Sequence, residues 1–189
     1  MLVTTKKTLV DHWLRAIHEL GRYPKRFQDI NKAQGLIKFL ARSEKRGMRD
    51  LWDIFTKQRE DLKKGLLGDA GSIVAYLLGF HLPNAYRALE MTRRLETRYD
   101  IAGLVAQSTS YELYDFGCGS GAVSDGVIAA LNLDPKKTRI NLVDTNRNIL
   151  KAAALVHQDN GFVVKIQKKI EDVFFKQGPR EADLHIVFL

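Results

Sequence analysis

Apolar residues recur at helical spacing through the first hundred positions, and then give way to short apolar runs separated by glycines and helices. Leu9, Trp13, Ile17 and Leu20 predict a helix over 8–20 that stops at Gly21. Residues 29–42 repeat the pattern through Ile30, Leu36, Ile37 and Leu40. A third helix is expected over 48–67, with Leu51, Ile54, Phe55, Leu62 and Leu66 as its buried stripe. Its other face is charged, with Lys57, Arg59, Lys63 and Lys64 set among Glu60 and Asp61. Trp13, Trp52 and Phe55 read as helix core rather than as a surface for stacking bases.

The glycines between Gly65 and Gly71 mark a hinge. Ser72 is the expected cap of a short helix over 73–80 that ends before Pro83. A further helix over 84–99 turns Ala85, Leu89, Thr92 and Leu95 inward and leaves Arg87, Arg93, Arg94 and Arg98 polar.

From Tyr111 the period changes. Strands are expected at 111–116, 139–144, 162–167 and 183–189, with helices over 122–131 and 148–158 between them. Strands alternating with helices of this length imply a parallel, doubly wound α/β sheet. The organisation expected is a basic helical region over 1–108 followed by a partial Rossmann-like domain over 109–189.

Charge separates the same two halves. Residues 1–100 carry 20 basic against 12 acidic side chains, a net of +8; residues 101–189 carry 10 of each. A basic region beside a neutral one suits a module that holds a polyanion such as RNA, with Lys63, Lys64, Arg93 and Arg94 as candidate phosphate contacts. The same residues also suit a plain solvated helix surface. No run of 18 or more apolar residues is present, so no membrane span is expected, and the opening MLVTTKKTLVDHW lacks the apolar stretch of a secretory signal. Together these features point to a cytoplasmic protein. A single cysteine excludes an internal disulfide, and five histidines without ligand spacing give no metal site.

The candidate chemistry lies at Asp115-Phe-Gly117-Cys118-Gly119-Ser-Gly121, between a strand and a helix. Such a loop lets a ligand approach the backbone closely, at the positive end of the following helix. The spacing fits both the dinucleotide pattern, through Ala122, and a G-x-G-x-G pattern. Charge favours the second. A pyrophosphate there would face Asp115 and Asp125, each repulsive by about 1 kcal/mol. A ligand bearing an ammonium group would be welcomed by Asp115. Asp144, at the end of the second strand, can accept two hydroxyl hydrogen bonds at once.

The string YDFGCGSG resembles motif I of class I S-adenosylmethionine-dependent methyltransferases, and INLVDT resembles the second motif of that family. The resemblance implies S-adenosylmethionine as cofactor, held by Asp115, Gly117, Cys118, Gly119 and Gly121, with Asp144 on the ribose hydroxyls and Asp172, or failing it Glu171, near the adenine. It implies a seven-stranded sheet in which the four strands present lie in the order 3-2-1-4. A missing C-terminal half or a second chain would then complete the sheet, and this fragment alone would be inactive; no catalytic residue can be named. The stretch AYLLGFHLPNAYRALEMTRRL ahead of the glycine loop is similar to the ribosome-associated, Rsm-twenty-two-like methyltransferase family. Members of that family often carry further cysteines for a metal centre, which this chain lacks. This second resemblance implies ribosomal RNA as partner. Two functions follow as expectations: a methyltransferase acting on RNA, or a non-catalytic RNA- or ribosome-binding assembly factor with the same fold.

Overall fold

The computed structural model describes residues 9–17, 38, 42, 45–57, 67–158, 160–169, 182 and 184–188. Helix α1 covers 9–17 and α2 covers Lys45–Lys57. Helix α3, Ala70–Tyr76, passes through a π-helical turn, Leu77–His81, straight into α4, Leu82–Arg98. The short α5, Ile101–Gln107, leads into β1, Tyr111–Phe116. Then follow α6 (Ala122–Leu131), β2 (Thr138–Val143), α7 (Arg147–Gln158), β3 (Val163–Gln167) and β4 (Leu184–Phe188).

The four strands form one all-parallel sheet in the order β3-β2-β1-β4, a Rossmann-like α/β arrangement. Leu113 of β1 stands opposite Ile140 of β2 and Ile186 of β4, and every residue of β1 is buried. A central parallel strand is covered on both faces, which is why YELYDF reads as a nearly unbroken buried run. One face carries the main core, where Tyr111, Leu113, Ile140 and Leu142 meet Val127 and Ile128 of α6 and Leu150 and Ala153 of α7. On the other face Tyr114, Phe116 and Val143 form a smaller cluster. There Glu112 is satisfied by Asn141 Nδ2, which donates to it at 2.6 Å.

The helices from the first hundred residues pack on the outer side of α6 and α7. Trp13, Leu14 and Ile17 of α1, Leu51 of α2 and Val74 and Leu77 share a core with Ile149 and Ala152 of α7. Leu9, Ala85 and Leu89 close on Ala122. The α4–α6 contact is made possible by Gly126, where a methyl group would run into the Ala85 carbonyl and stand 2.8 Å from Ala88 Cβ. Backbones that approach this closely require glycine.

Four local expectations are corrected. The cap of α3 is Asp69, which accepts the Ser72 N–H at 2.9 Å, while the Ser72 hydroxyl donates back to the Asp69 carbonyl. An ionised carboxylate is the stronger acceptor, and the Ser72 N–H is the main reason its pKa falls. The helix does not end before Pro83. The ring sits in the first turn after the π-helical segment, where the shifted hydrogen bonding tolerates its missing N–H. Leu95 is exposed, because the inward stripe of α4 runs through Ala85, Ala88, Leu89 and Thr92 and the helix then projects past α6. Trp52 is 55% exposed rather than core, while Trp13 is buried and donates its indole N–H to the Leu77 carbonyl at 2.8 Å.

The side chain of Phe55, together with Leu62 and Leu66, the helix expected over 29–42 apart from residues 38 and 42, and the hinge before Leu67, lies outside what is described. No helix among the described residues is long and apolar enough to cross a membrane.

Candidate functional site

The loop from β1 to α6 turns on three glycines with positive φ: Gly117 at 69°, Gly119 at 52° and Gly121 at 73°. L-residues with side chains adopt such angles at a cost of about 1–2 kcal/mol. Two of the positions are also sterically closed. A methyl group at Gly119 would stand 2.7 Å from the Tyr76 hydroxyl, and one at Gly121 would stand 3.0 Å from His157 Nε2. Gly117 faces open space. The loop is therefore lined on two sides and free on one, beside its first glycine.

Backbone bonds fasten the loop to the next strand. The N–H groups of Gly117 and Cys118 both donate to the Val143 carbonyl, at 2.8 and 3.1 Å. Asp144, the residue after β2, accepts the Gly119 N–H through Oδ2 at 3.0 Å and the Asn146 N–H through Oδ1 at 2.9 Å. At the end of β1, Asp115 accepts the Ser124 N–H at 3.2 Å and its hydroxyl at 2.5 Å, both on Oδ2. Asp115 is only 2% exposed. Burial raises its pKa against the pull of the Ser124 bonds, and the nearby charge of Asp144 pushes the same way. Asp115, Gly117, Cys118, Gly119, Gly121 and Asp144 are thus brought together at the carboxyl ends of β1 and β2, where open α/β sheets hold ligands.

Cys118 is buried, and burial, then the charges of Asp115 and Asp144, push its thiol well above the usual range. A thiol held protonated in this way packs; it does not attack. Tyr76, in the stretch AYLLGFHLP ahead of the loop but not among the candidate site residues, lies over the loop. Its pKa is raised to about 12, by burial first and then by Asp144, Cys118 and Asp115.

Behind the loop is a second feature that spacing along the chain does not reveal. Asp125, in the first turn of α6, is fully enclosed and accepts from His12 Nδ1 at 3.0 Å and from His81 Nε2 at 3.3 Å. Because a carboxylate only accepts, the other ring nitrogen of a neutral His81 is an acceptor, and the Ser120 hydroxyl 3.0 Å away donates to it. Burial opposes the charge on Asp125, but the two histidine bonds outweigh it and hold the pKa at about 2. His157 lies against the same group, and burial lowers its pKa to about 4. Its Nε2 has no hydrogen-bond partner among the described residues.

Ser120, His81 and Asp125 have the connectivity of a hydrolytic triad, but Ser120 is 2% exposed, so no substrate reaches its hydroxyl. The cluster instead locks α1 and the π-helical turn to the base of the loop. Asp125, expected from the sequence to face a loop-bound ligand, is enclosed, which leaves Asp115 and Asp144 as the carboxylates beside the loop among the described residues. Among the described residues no group of three or more His, Cys, Asp or Glu is arranged to hold a metal ion.

Of the candidate phosphate contacts, Arg94 is exposed on α4, and Arg93 Nη1 stands 4.0 Å from Glu90 Oε1. Lys63, Lys64, Glu171 and Asp172 lie outside the described residues. Compared with known proteins, the chain matches no family model and no curated protein.

Proposed function

We propose that the chain is all or part of an S-adenosylmethionine-dependent methyltransferase acting on RNA. The observation that carries this reading is the pair of carboxylates, Asp115 and Asp144, flanking a loop of three positive-φ glycines at the ends of adjacent parallel strands. Two carboxylates within each other's field suit a cationic ligand and repel a pyrophosphate. The residues fit the cofactor. The open side of Gly117 admits close approach, Asp144 offers a two-oxygen acceptor for ribose hydroxyls, and Asp115, buried beneath the loop with Oδ2 held by Ser124, contributes its charge to the field there. When bound, the cofactor supplies an electrophilic methyl group on a sulfonium leaving group. The chain's own part is to hold and orient, and alignment of the two reactants accounts for the rate gained. The net charge of +8 in the first hundred residues supports a polyanionic acceptor.

One observation favours the second reading, a non-catalytic RNA-binding factor with this fold. Both oxygens of Asp144 are engaged by backbone N–H groups, and the Tyr76 hydroxyl closes over Gly119. Calorimetric titration with S-adenosylhomocysteine, followed by transfer of labelled methyl groups to bulk RNA, separates the two. Binding together with transfer, in the chain or in its assembled complex, supports the enzyme. RNA binding without either supports the factor. Binding of a nicotinamide dinucleotide in preference to S-adenosylhomocysteine contradicts both.

A further inference from the structure

Helix α4 begins at the glycine loop, where His81 meets Ser120, and runs away from it against α6. Its buried side is made of Ala85, Ala88, Leu89 and Thr92. Roughly opposite stand Arg87, Arg94 and Arg98, all exposed. At 3.6 residues per turn the three fall within about 40° of one another around the axis, so they form one ridge. The Arg87 guanidinium donates to the neutral Asn84 amide oxygen at 3.1 Å, and Arg94 and Arg98 make no ion pair with any described residue. The neighbouring acids do not cancel the ridge. Glu90 stands 4.0 Å from Arg93, and Asp100 caps α5 by accepting the Gly103 N–H at 3.0 Å. Glu96 lies half a turn round the helix from the arginines. Beside the ridge runs an apolar strip: Met91, Leu95 and Tyr99, four residues apart, are all exposed. Solvation asks for charge, not for three large apolar side chains in line with it.

We propose that this side of α4 is a track for a single-stranded stretch of RNA, whose phosphates lie on Arg87, Arg94 and Arg98 and whose bases turn onto Met91, Leu95 and Tyr99. One occupant then accounts for the cations and the apolar strip together. Single strands are held by a basic track for the backbone with aromatic side chains beside it for the bases. The basic side chains of α4 are all arginine, whose planar fork grips two phosphate oxygens at once. A duplex offers phosphates but keeps its bases stacked inside. The net charge of +8 in the first hundred residues favours a polyanion over an acidic protein helix. The inference rests on the RNA-directed reading above but not on cofactor binding. It narrows the substrate class to strands with several consecutive unpaired nucleotides, because Arg87 and Arg98 are about 16 Å apart along the helix.

The six side chains are exposed, so variants at these positions should unfold at the wild-type temperature. The test titrates labelled oligouridylate, an abasic strand of equal length and duplex RNA with the full chain, and follows fluorescence anisotropy. Arg87→Gln with Arg98→Gln should weaken binding of both single strands and make the slope of log K against log salt shallower by about 1.4. Lys136→Gln with Lys151→Gln, the same change of charge at exposed positions off α4, should alter neither. Tyr99→Ala should weaken binding of oligouridylate roughly tenfold, leave the abasic strand and the duplex unaffected, and be largely rescued by Tyr99→Phe. Wild-type affinity in the double arginine variant, or an equal loss in the double lysine variant, overturns the track and leaves the RNA reading intact. So does a Tyr99→Ala loss that is absent for oligouridylate or shared by the abasic strand, because the bases then do not use the strip. No binding of any RNA by wild type removes both, the result expected if α4 received an acidic protein helix instead. S-adenosylhomocysteine affinity, measured separately on the same proteins, keeps the cofactor reading independent of all these outcomes.

Discussion

Asp144 accepts the backbone N–H of Gly119 at 3.0 Å, so the acid that closes β2 is tied to the turn that leaves β1. The end of β2 and the conformation of the loop are consequently one unit. Gly119→Ala should disturb both, since its φ of 52° is costly for alanine and the Tyr76 hydroxyl stands in the way of a methyl group. A loss of about 1–2 kcal/mol is expected from the backbone alone, or roughly 2–8 °C in Tm for a chain of this size. Tyr76→Phe placed on top should recover the steric part and not the backbone part. Thermal unfolding of the two variants checks this.

The buried histidine cluster gives stability a defined pH dependence. His157 has a folded pKa of about 4, below its unfolded value of 6.5. Between these values the unfolded chain takes up a proton that the folded chain refuses, so stability falls as the pH is lowered through that window. The upper bound is about 3 kcal/mol. Asp125 acts further down: its folded pKa of about 2 lies below 3.8, so its contribution is present above 3.8 and lost toward pH 2. Urea unfolding at pH 7, 5.5 and 4.5 should show declining stability in wild type and a flatter profile in His157→Leu.

The positive charge of α4 should act without regard to RNA sequence. Arg93→Glu with Arg94→Glu is expected to weaken binding of unrelated single strands alike. The slope of log K against log salt should become shallower by about 0.7 for each phosphate that is no longer neutralised. Filter binding over a range of salt concentrations measures it. An unchanged slope would leave these arginines as a solvated surface.

Strand β4 pairs with β1 on one side and with no other described strand, and Val187 on its outer face is 52% exposed. An open apolar edge is a template for another strand. Sedimentation at micromolar concentration should show association or a partner strand, and Val187→Lys should reduce it. A monomer in both cases would contradict pairing at this edge.

The sheet was legible because its signals are local. Glycines at 117, 119 and 121 demand a turn, DNG at 159–161 marks another, and alternation of short apolar runs with helices dictates a parallel order that the structure shows as β3-β2-β1-β4. Asp115, Cys118 and Asp144 were legible for the same reason, as each sits at a strand end or in the turn itself. The histidine cluster was not, because His12 and Asp125 are 113 positions apart and meet only through the packing of α1 on α6. The approach of Tyr76 to the loop was not legible either, because it follows from a π-helical turn whose altered period rotates Phe80 toward α2 and carries the helix through Pro83. Leu95 misled because its spacing fits the stripe of α4 beyond the point where α6 stops covering it.

The central claim is that the Asp115–Asp144 loop holds S-adenosylmethionine, and calorimetry with S-adenosylhomocysteine on wild type, Asp144→Ala and Arg94→Glu tests it most directly. The account predicts binding to wild type, at least a tenfold loss in Asp144→Ala where the acceptor for the ribose hydroxyls is gone, and no change in Arg94→Glu, whose exposed side chain lies on α4. Equal affinity in wild type and Asp144→Ala, or no binding to a folded wild-type chain that does bind a dinucleotide, would contradict it.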